Sequence, residues 1–239
     1  MTEPGRPLIP REVLPPPVAA TKRAGRRAAG RGDTRPGRQL TMFGAETIEP
    51  SPADVAGLLA GSGRLDRMGG TARVSIRVDA AWRVHVLVGE LAARGLTAGW
   101  EPVPVESEAN DTPADPEDEP EEIRTVFEVR TAYSRRLNGL ALAWPGASGR
   151  LFLSGPRMRL WVAATGEPRP GGYRLGLDPG DDRAGVVAAL VRAGLAGRVS
   201  DDGRHYVISG RRRLRRLAEL VGERPSAAPE EFWPGGVIA

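Results

Sequence analysis

The chain has 239 residues, enough for one or two domains. It contains no cysteine, which excludes disulfides, cysteine zinc sites and thiol catalysis, and its two histidines, His85 and His205, lie far apart in the sequence. The net charge of +4 conceals an uneven distribution, because a basic N-terminal segment and a basic body flank one acidic stretch.

The distribution of apolar and basic residues also indicates where in the cell the protein is expected. No run of about 18 apolar residues is present, so we expect no membrane span. The N-terminus carries basic residues without the apolar segment of a secretory signal. We therefore expect a cytoplasmic protein, associated with the nucleoid if it binds DNA. The basic residues are 33 arginines and one lysine, a bias typical of GC-rich genomes.

Three segments lack apolar periodicity and are predicted to be disordered or loose. Residues 1–50 are rich in proline, glycine and arginine, with nine basic and three acidic residues in 1–43. Residues 101–122 hold ten acidic residues and no basic one, and 106–122 is predicted to be a disordered insertion. Residues 224–239 form a proline-rich C-terminal tail. Such compositions bury too little apolar surface to offset the entropy of ordering.

A short motif, RQLTMFGAE (38–46), ends the N-terminal tail. Its pentapeptide resembles the QLxLF peptide with which bacterial repair proteins bind the sliding clamp. The resemblance implies that Leu40, Met42 and Phe43 are apolar anchors and that Gln39 is the polar contact of an extended peptide. The alternative is a linker that packs Met42 and Phe43 on the folded body.

The folded body, about 52–223, contains an internal repeat. VSIRVD (74–79) and YRLGLD (173–178) both alternate between apolar and polar residues, the period of a strand. A segment with helical spacing follows each of them, and each helix ends before a glycine, Gly95 or Gly194. These features predict equivalent positions 99 residues apart.

Two further pairs of segments complete the repeat. Residues 127–144 correspond to 205–222 at a spacing of 78, each a strand leading into a helix, with the acidic segment as an insertion in the first copy. LLAGSG (58–63) corresponds to WVAATG (161–166). Each half, 51–145 and 146–223, is thus predicted to run helix, strand, strand, helix, strand, strand, helix.

The stretch VAGLLAGSG, residues 55–63, resembles the LAGLIDADG signature of a family of homing endonucleases. The resemblance extends over nearly all of 52–223. It implies an α+β fold of two pseudo-symmetric αββαββα halves in one monomer, packed through small residues of the signature helices. The two four-stranded sheets would form a saddle for duplex DNA. The alternative is an unrelated duplicated α+β domain.

The family's metal-binding acids are absent. At the eighth place of the signature, where the family has an acid that holds the catalytic divalent metals, this chain has Ser62 and Thr165. A neutral hydroxyl cannot replace a carboxylate in a two-metal phosphodiester site. We therefore expect no enzyme activity, no bound metal and no cofactor.

Strand alternation predicts which side chains face the DNA. The predicted DNA-binding residues are Arg73, Arg77, Arg130, Arg174, Arg198 and His205. Ser75, Glu128, Gly176 and Ser200 share their faces, whereas Val74, Ile76, Val78, Phe127, Val129, Leu175, Leu177, Tyr206 and Ile208 are predicted to face the helices. Arginine suits both phosphates and guanine edges. The alternative is solvated arginine on an open sheet face, and the run RRRLRR (211–216) is read as a solvated helix surface.

These observations favour a non-catalytic DNA-binding accessory of bacterial replication or repair, tethered to the sliding clamp by its tail. One alternative is a transcription regulator built on the same body, as in a similar actinobacterial sporulation regulator that adds a helix-turn-helix domain. Another is a protein-interaction module that binds no nucleic acid, with the acidic segment lying over the basic sheet faces.

Overall fold

The structure is a computed structural model that describes residues 42–103, 126–144, 146, 150–178 and 183–236. The predicted disordered segment 106–122 and residues 39–41 of the predicted clamp-binding peptide lie outside the described residues, as does the tail up to residue 41. None of the helices within these ranges is both long and apolar enough to cross a membrane.

The first half follows the predicted order of elements. A 3-10 turn, Pro52–Val55, leads directly into the first helix, and a second 3-10 turn, Arg135–Leu137, leads into the third. The elements are α1 (Ala56–Ala60), β1 (Arg64–Met68), β2 (Thr71–Val78), α2 (Ala81–Ala93), β3 (Ala98–Val103), β4 (Val126–Thr131) and α3 (Asn138–Ala143).

The second half repeats this order with shorter strands. Its elements are α4 (Gly155–Thr165), β5 (Glu167–Arg169), β6 (Gly172–Gly176), α5 (Arg183–Arg192), β7 (Arg198–Val199), β8 (His205–Ser209) and α6 (Arg211–Val221). Each half forms one antiparallel sheet, in the orders β1-β2-β4-β3 and β5-β6-β8-β7. The predicted α+β fold of two αββαββα halves is confirmed.

The strand pairs correct the spacing of the first hairpins. Asp66 pairs with Arg73 in the first half and Glu167 pairs with Arg174 in the second, so equivalent positions lie 101 residues apart rather than 99. The predicted spacing of 99 holds at the helix ends, where a glycine with positive φ follows both α2 and α5. The connection between hairpin and helix end is therefore two residues shorter in the second half.

The spacing of the later strands also differs from the prediction. Ser75 pairs with Arg130, and the equivalent Gly176 pairs with His205, so β4 and β8 are 75 residues apart rather than 78. The predicted alignment matched Phe127 with His205. Strand alternation places those two side chains on opposite faces, so the sheet itself excludes that match.

The two halves pack through α1 and α4, and the approach is close enough to require glycine. A Cβ on Gly57 would lie 2.0 Å from the backbone oxygen of Arg157, and one on Gly61 would lie 2.7 Å from the indole nitrogen of Trp161. Close contact between two helix backbones is the role predicted for the small residues of both segments.

A buried arginine strengthens the contact between the halves. Arg83 of α2 is 2% exposed and donates hydrogen bonds to the carbonyl oxygens of Ala163 (3.2 Å) and Gly166 (2.9 Å) at the end of α4. Its Nε lies 3.0 Å from Asp79, and its guanidinium lies over the Trp82 ring. The carbonyl groups at the C-terminal end of α4, in the second half, thus accept hydrogen bonds from an arginine of the first half.

The N-terminal segment joins the body earlier than predicted. The backbone N–H of Gly155 donates to the oxygen of Phe43 (2.7 Å), and that of Ala45 donates to the oxygen of Leu220 (2.8 Å). These bonds connect residues 42–50 to the start of α4 and the end of α6. The prediction of disorder is therefore wrong for 42–50, because these contacts form with segments more than 100 residues away.

The C-terminal segment is packed, which contradicts the expectation of a loose tail. Trp233 is 1% exposed and donates through Nε1 to the oxygen of Gly222 at 3.1 Å. The hydroxyl of Tyr173 in β6 donates to the oxygen of Phe232 at 2.8 Å, and burial raises the pKa of Tyr173 well above its usual range. Residues 224–236 therefore cover part of the second half's core.

Candidate nucleic-acid interface

Each sheet presents one face to the helices and one outward face. The side chains predicted to face the helices are buried, apart from the half-buried Phe127. By register, the charged side chains on the outward face of the first sheet are Arg64, Asp66, Arg73, Arg77, Glu101, Glu128 and Arg130. Those on the outward face of the second are Glu167, Arg169, Arg174, Arg198 and His205.

Two of the predicted DNA-binding arginines in the first sheet have acidic partners. Arg73 Nε lies 2.9 Å from Asp66 Oδ2 on the neighbouring strand, and this hydrogen bond raises the pKa of Arg73. Arg130 Nη1 lies 2.7 Å from Glu101 and 3.9 Å from Glu128. The first sheet is therefore close to electrically balanced, with four arginines and three carboxylates on its outward face.

The second sheet shows the same kind of pair in the equivalent place. Arg174 forms an ion pair with Glu167 across the hairpin, as Arg73 does with Asp66. The acid in the first half is Asp and that in the second is Glu. A cross-strand ion pair on the outward face is thus common to both halves of the repeat.

His205 also has an acidic neighbour, in the turn between β7 and β8. Its Nδ1 lies 3.5 Å from Asp202. The Ser200 hydroxyl and the backbone N–H of Arg204 both donate to the Asp202 carboxylate, and these hydrogen bonds lower its pKa below the usual range. Asp202 therefore stays ionised beside the imidazole at neutral pH.

Four arginines of the outward faces are exposed and form no ion pair with any residue that the structure describes. Two of them, Arg77 and Arg198, are predicted site residues; the others, Arg64 and Arg169, were not predicted. They were missed because β1 and β5 are short and lack the apolar alternation that marks a strand. The sequence pattern that could have identified Arg64 is the alternation of the charged residues Arg64 and Asp66, which has the two-residue period of a strand.

The two residues aligned with the acids of the LAGLIDADG signature, Ser62 and Thr165, lie in different surroundings. The Thr165 hydroxyl accepts a hydrogen bond from the backbone N–H of Gly176 (3.1 Å) and donates to the oxygen of Trp161 (3.4 Å), so it joins the end of α4 to β6. Ser62 is exposed, just after the end of α1. Among the described residues, no group of three or more His, Asp or Glu side chains is arranged to hold a metal ion.

Fold and site together define a duplicated α+β protein. Each half contributes one sheet, and the outward face of each sheet carries arginines. No protein-family model matches the chain, and no curated protein matches it either.

Several solved structures of the homing endonuclease I-DmoI are similar to the chain. One, of mesophilic variants, has a TM-score of 0.41 and 15% identity, and the match covers 72% of this chain and 95% of that one. I-DmoI with DNA and Mn has a TM-score of 0.40 and 14% identity, covering 72% and 97%. A variant with target DNA and Mn has a TM-score of 0.39 and 15% identity, covering 71% and 90%.

Proposed function

We propose that the chain is a non-catalytic protein that binds duplex DNA through the outward faces of its two sheets, as an accessory of bacterial replication or repair. The observation that supports it best is the presence, on both faces, of exposed arginines that form no ion pair with any residue that the structure describes. Arg64 and Arg77 lie on the first sheet, and Arg169 and Arg198 lie on the second. Exposed guanidinium groups on two sheets are suited to phosphates on both sides of one duplex.

The arginines that have acidic partners remain available for DNA. The pairs Arg73–Asp66 and Arg130–Glu101 are partly exposed, with side chains 32–46% accessible. Exposed ion pairs contribute only about 0–1 kcal/mol. A phosphate that approaches either guanidinium therefore exchanges one anion for another at small cost.

The absence of catalysis is proposed on chemical grounds. Ser62 is a neutral hydroxyl, and Thr165 already uses its hydroxyl to join α4 to β6. A two-metal phosphodiester site needs carboxylate oxygens at those places. We therefore propose that the chain retains the arrangement of a DNA-binding body without the hydrolytic centre.

We further propose that residues 39–43 bind the sliding clamp. Met42 is 76% exposed and Phe43 is 46% exposed, so both apolar side chains are accessible to a partner. The Phe43 ring rests edge-on against Phe152, with centroids 5.7 Å apart. Such a contact contributes about 1 kcal/mol, so a hydrophobic pocket on the clamp competes with it readily.

The test of DNA binding is a titration of the full chain against a duplex of about 20 base pairs, two helical turns, at several salt concentrations. We expect Arg77→Gln combined with Arg169→Gln to weaken binding and to lower the slope of log affinity against log salt by about 2. The matched control is Arg135→Gln combined with Arg150→Gln, two exposed arginines off the sheets. Absence of wild-type binding, or an equal loss in the control, contradicts the proposal.

The transcription-regulator alternative gives a different result in the same assay. A regulator distinguishes its operator from other sequences by about 10³-fold or more, whereas a replication or repair accessory shows a much smaller ratio. The protein-interaction alternative corresponds to no DNA binding at any salt concentration.

A further inference from the structure

The second half contains a basic groove that the sheet faces do not include. A cavity of about 780 Å³ lies along the first two turns of α6. Five arginines line it, and they are Arg211, Arg212, Arg213, Arg215 and Arg216. Glu219 is the only acidic side chain among its lining residues. A cavity with this charge ratio is complementary to a polyanion.

Most of these guanidinium groups have no anionic partner among the residues that the structure describes. Arg213 donates to the oxygen of Ser209 (3.1 Å), and Arg216 lies 3.8 Å from Glu219. Within the described part of the chain, the exposed side chains of Arg211, Arg212 and Arg215 form no hydrogen bond or ion pair. Three cations of the groove therefore remain available to a ligand.

The position of the arginines works against the stability of the helix itself. Arg211 and Arg215 are four residues apart, as are Arg212 and Arg216, so like charges are neighbours on the helix surface and repel each other. The first turn of α6 has no acidic residue, and its N-cap, Gly210, has no capping side chain. Cations there face the positive end of the helix dipole. Helix stability does not explain this arrangement, whereas a bound polyanion relieves it.

The groove continues onto the outward face of the second sheet. A neighbouring cavity of about 250 Å³ is lined by Arg198 and Val207, both on that face, and by Ser209 and Arg213, which also line the groove. The two cavities thus meet at Ser209 and Arg213. The edge strand β7 has only two residues, so the end of β8 is left open where they meet.

The first half differs from the second at the equivalent place. Its edge strand β3 has six residues, and α3, which corresponds to α6, contains no charged residue. The run of arginines along α6 therefore has no counterpart within α3.

We propose that the groove along α6 binds the sugar-phosphate backbone of the same duplex, which passes from the outward face of the second sheet across β7 onto α6. This inference rests on the proposed DNA binding and makes the interface asymmetric. The first sheet, nearly balanced in charge, positions the duplex, while the second half supplies most of the phosphate contacts.

The test compares Arg212→Gln combined with Arg215→Gln against the wild type, the Arg77/Arg169 sheet variant and the Arg135/Arg150 control. Gln and Arg have similar helix propensities, so α6 is expected to stay folded with an unchanged or slightly higher Tm. We expect a several-fold loss of affinity at low salt and a salt slope lower by about 2.

The outcomes separate the two proposals. If the salt slope falls for both the groove variant and the sheet variant, the result supports both the groove and the proposed binding through the sheet faces. A fall for the sheet variant alone, with the groove variant matching the Arg135/Arg150 control, overturns the groove and leaves the proposed function in place. A fall for the groove variant alone supports phosphate binding along α6, and it overturns both binding through the sheet faces and the path of the duplex across β7. If the wild type does not bind duplex, both proposals are wrong.

Discussion

Glu90 and Arg159 connect the two halves of the protein: Arg159 Nε, in α4, lies 2.6 Å from Glu90 Oε1, in α2. The second oxygen of Glu90 lies 2.8 Å from Arg94, and Arg94 in turn lies 3.2 Å from Asp54. All four side chains are at least four-fifths buried. The contact between the halves therefore combines the glycine-mediated helix crossing with a buried network of two carboxylates and two guanidinium groups.

The first prediction concerns this network. Replacing Glu90 with Gln leaves two buried guanidinium groups with one carboxylate, and breaking a buried pair in this way costs about 3 kcal/mol. We expect a clear fall in the urea midpoint of the Glu90→Gln variant. The control is Glu219→Gln, which removes an exposed pair with Arg216 and changes stability by less than about 1 kcal/mol. Equal midpoints for the two variants would contradict the prediction.

The second prediction concerns the crossing of α1 and α4. In Gly57→Ala, the new methyl group meets the backbone oxygen of Arg157, which cannot move without separating the helices. We expect a loss of about 2 kcal/mol or more in the free energy of unfolding. Gly89→Ala in α2 is the matched control. Its Cβ meets nothing within 4 Å, so better helix propensity should raise stability by up to about 1 kcal/mol.

The third prediction concerns catalysis. The purified chain, incubated with plasmid DNA and Mg²⁺ or Mn²⁺, is expected to leave the plasmid intact, because Ser62 and Thr165 offer no carboxylate to a metal. The measurement is agarose electrophoresis over a time course. Metal-dependent cleavage that persists through purification and disappears when one particular acid is replaced would show that the metal site lies elsewhere in the chain.

The fourth prediction concerns the proposed clamp-binding peptide, residues 39–43. Leu40→Ala combined with Phe43→Ala should abolish binding to purified sliding clamp, since both pocket anchors are lost. Phe152→Ala, by contrast, removes the ring that holds Phe43 and should leave clamp affinity unchanged or slightly higher. Surface plasmon resonance with immobilised clamp measures both. No binding by the wild type, or equal binding by wild type and double variant, refutes the tether.

The fifth prediction concerns the acidic insertion, which joins the paired ends of β3 and β4 at Val103 and Val126. If this acidic segment competes with phosphates for the arginines, deleting 106–122 should raise non-specific duplex affinity, most strongly at low salt. The Tm is expected to change little, because a shorter connection costs slightly less closure entropy. Matching affinities for the deletion and the wild type at every salt concentration would exclude competition by this segment.

The order of the elements and the faces of the strands could both be predicted from the amino-acid sequence. Both depend on local sequence patterns. Alternate residues such as Val74 and Ile76 face the same side of a strand, and a glycine after a helical segment ends that helix. The duplication allowed each half to support the assignment of the other, even in the weak strands β1 and β5.

The pairing of the charges and the packing of the two end segments, by contrast, depend on the three-dimensional fold. Arg73 and Arg174 look free in the sequence, but the hairpin register places a carboxylate opposite each of them. Residues 42–50 show no apolar periodicity, and residues 224–236 are rich in proline and glycine. The order of both segments comes from hydrogen bonds to other parts of the chain. Contacts of this kind depend on strand register and on which segments meet in space, and no local pattern encodes either.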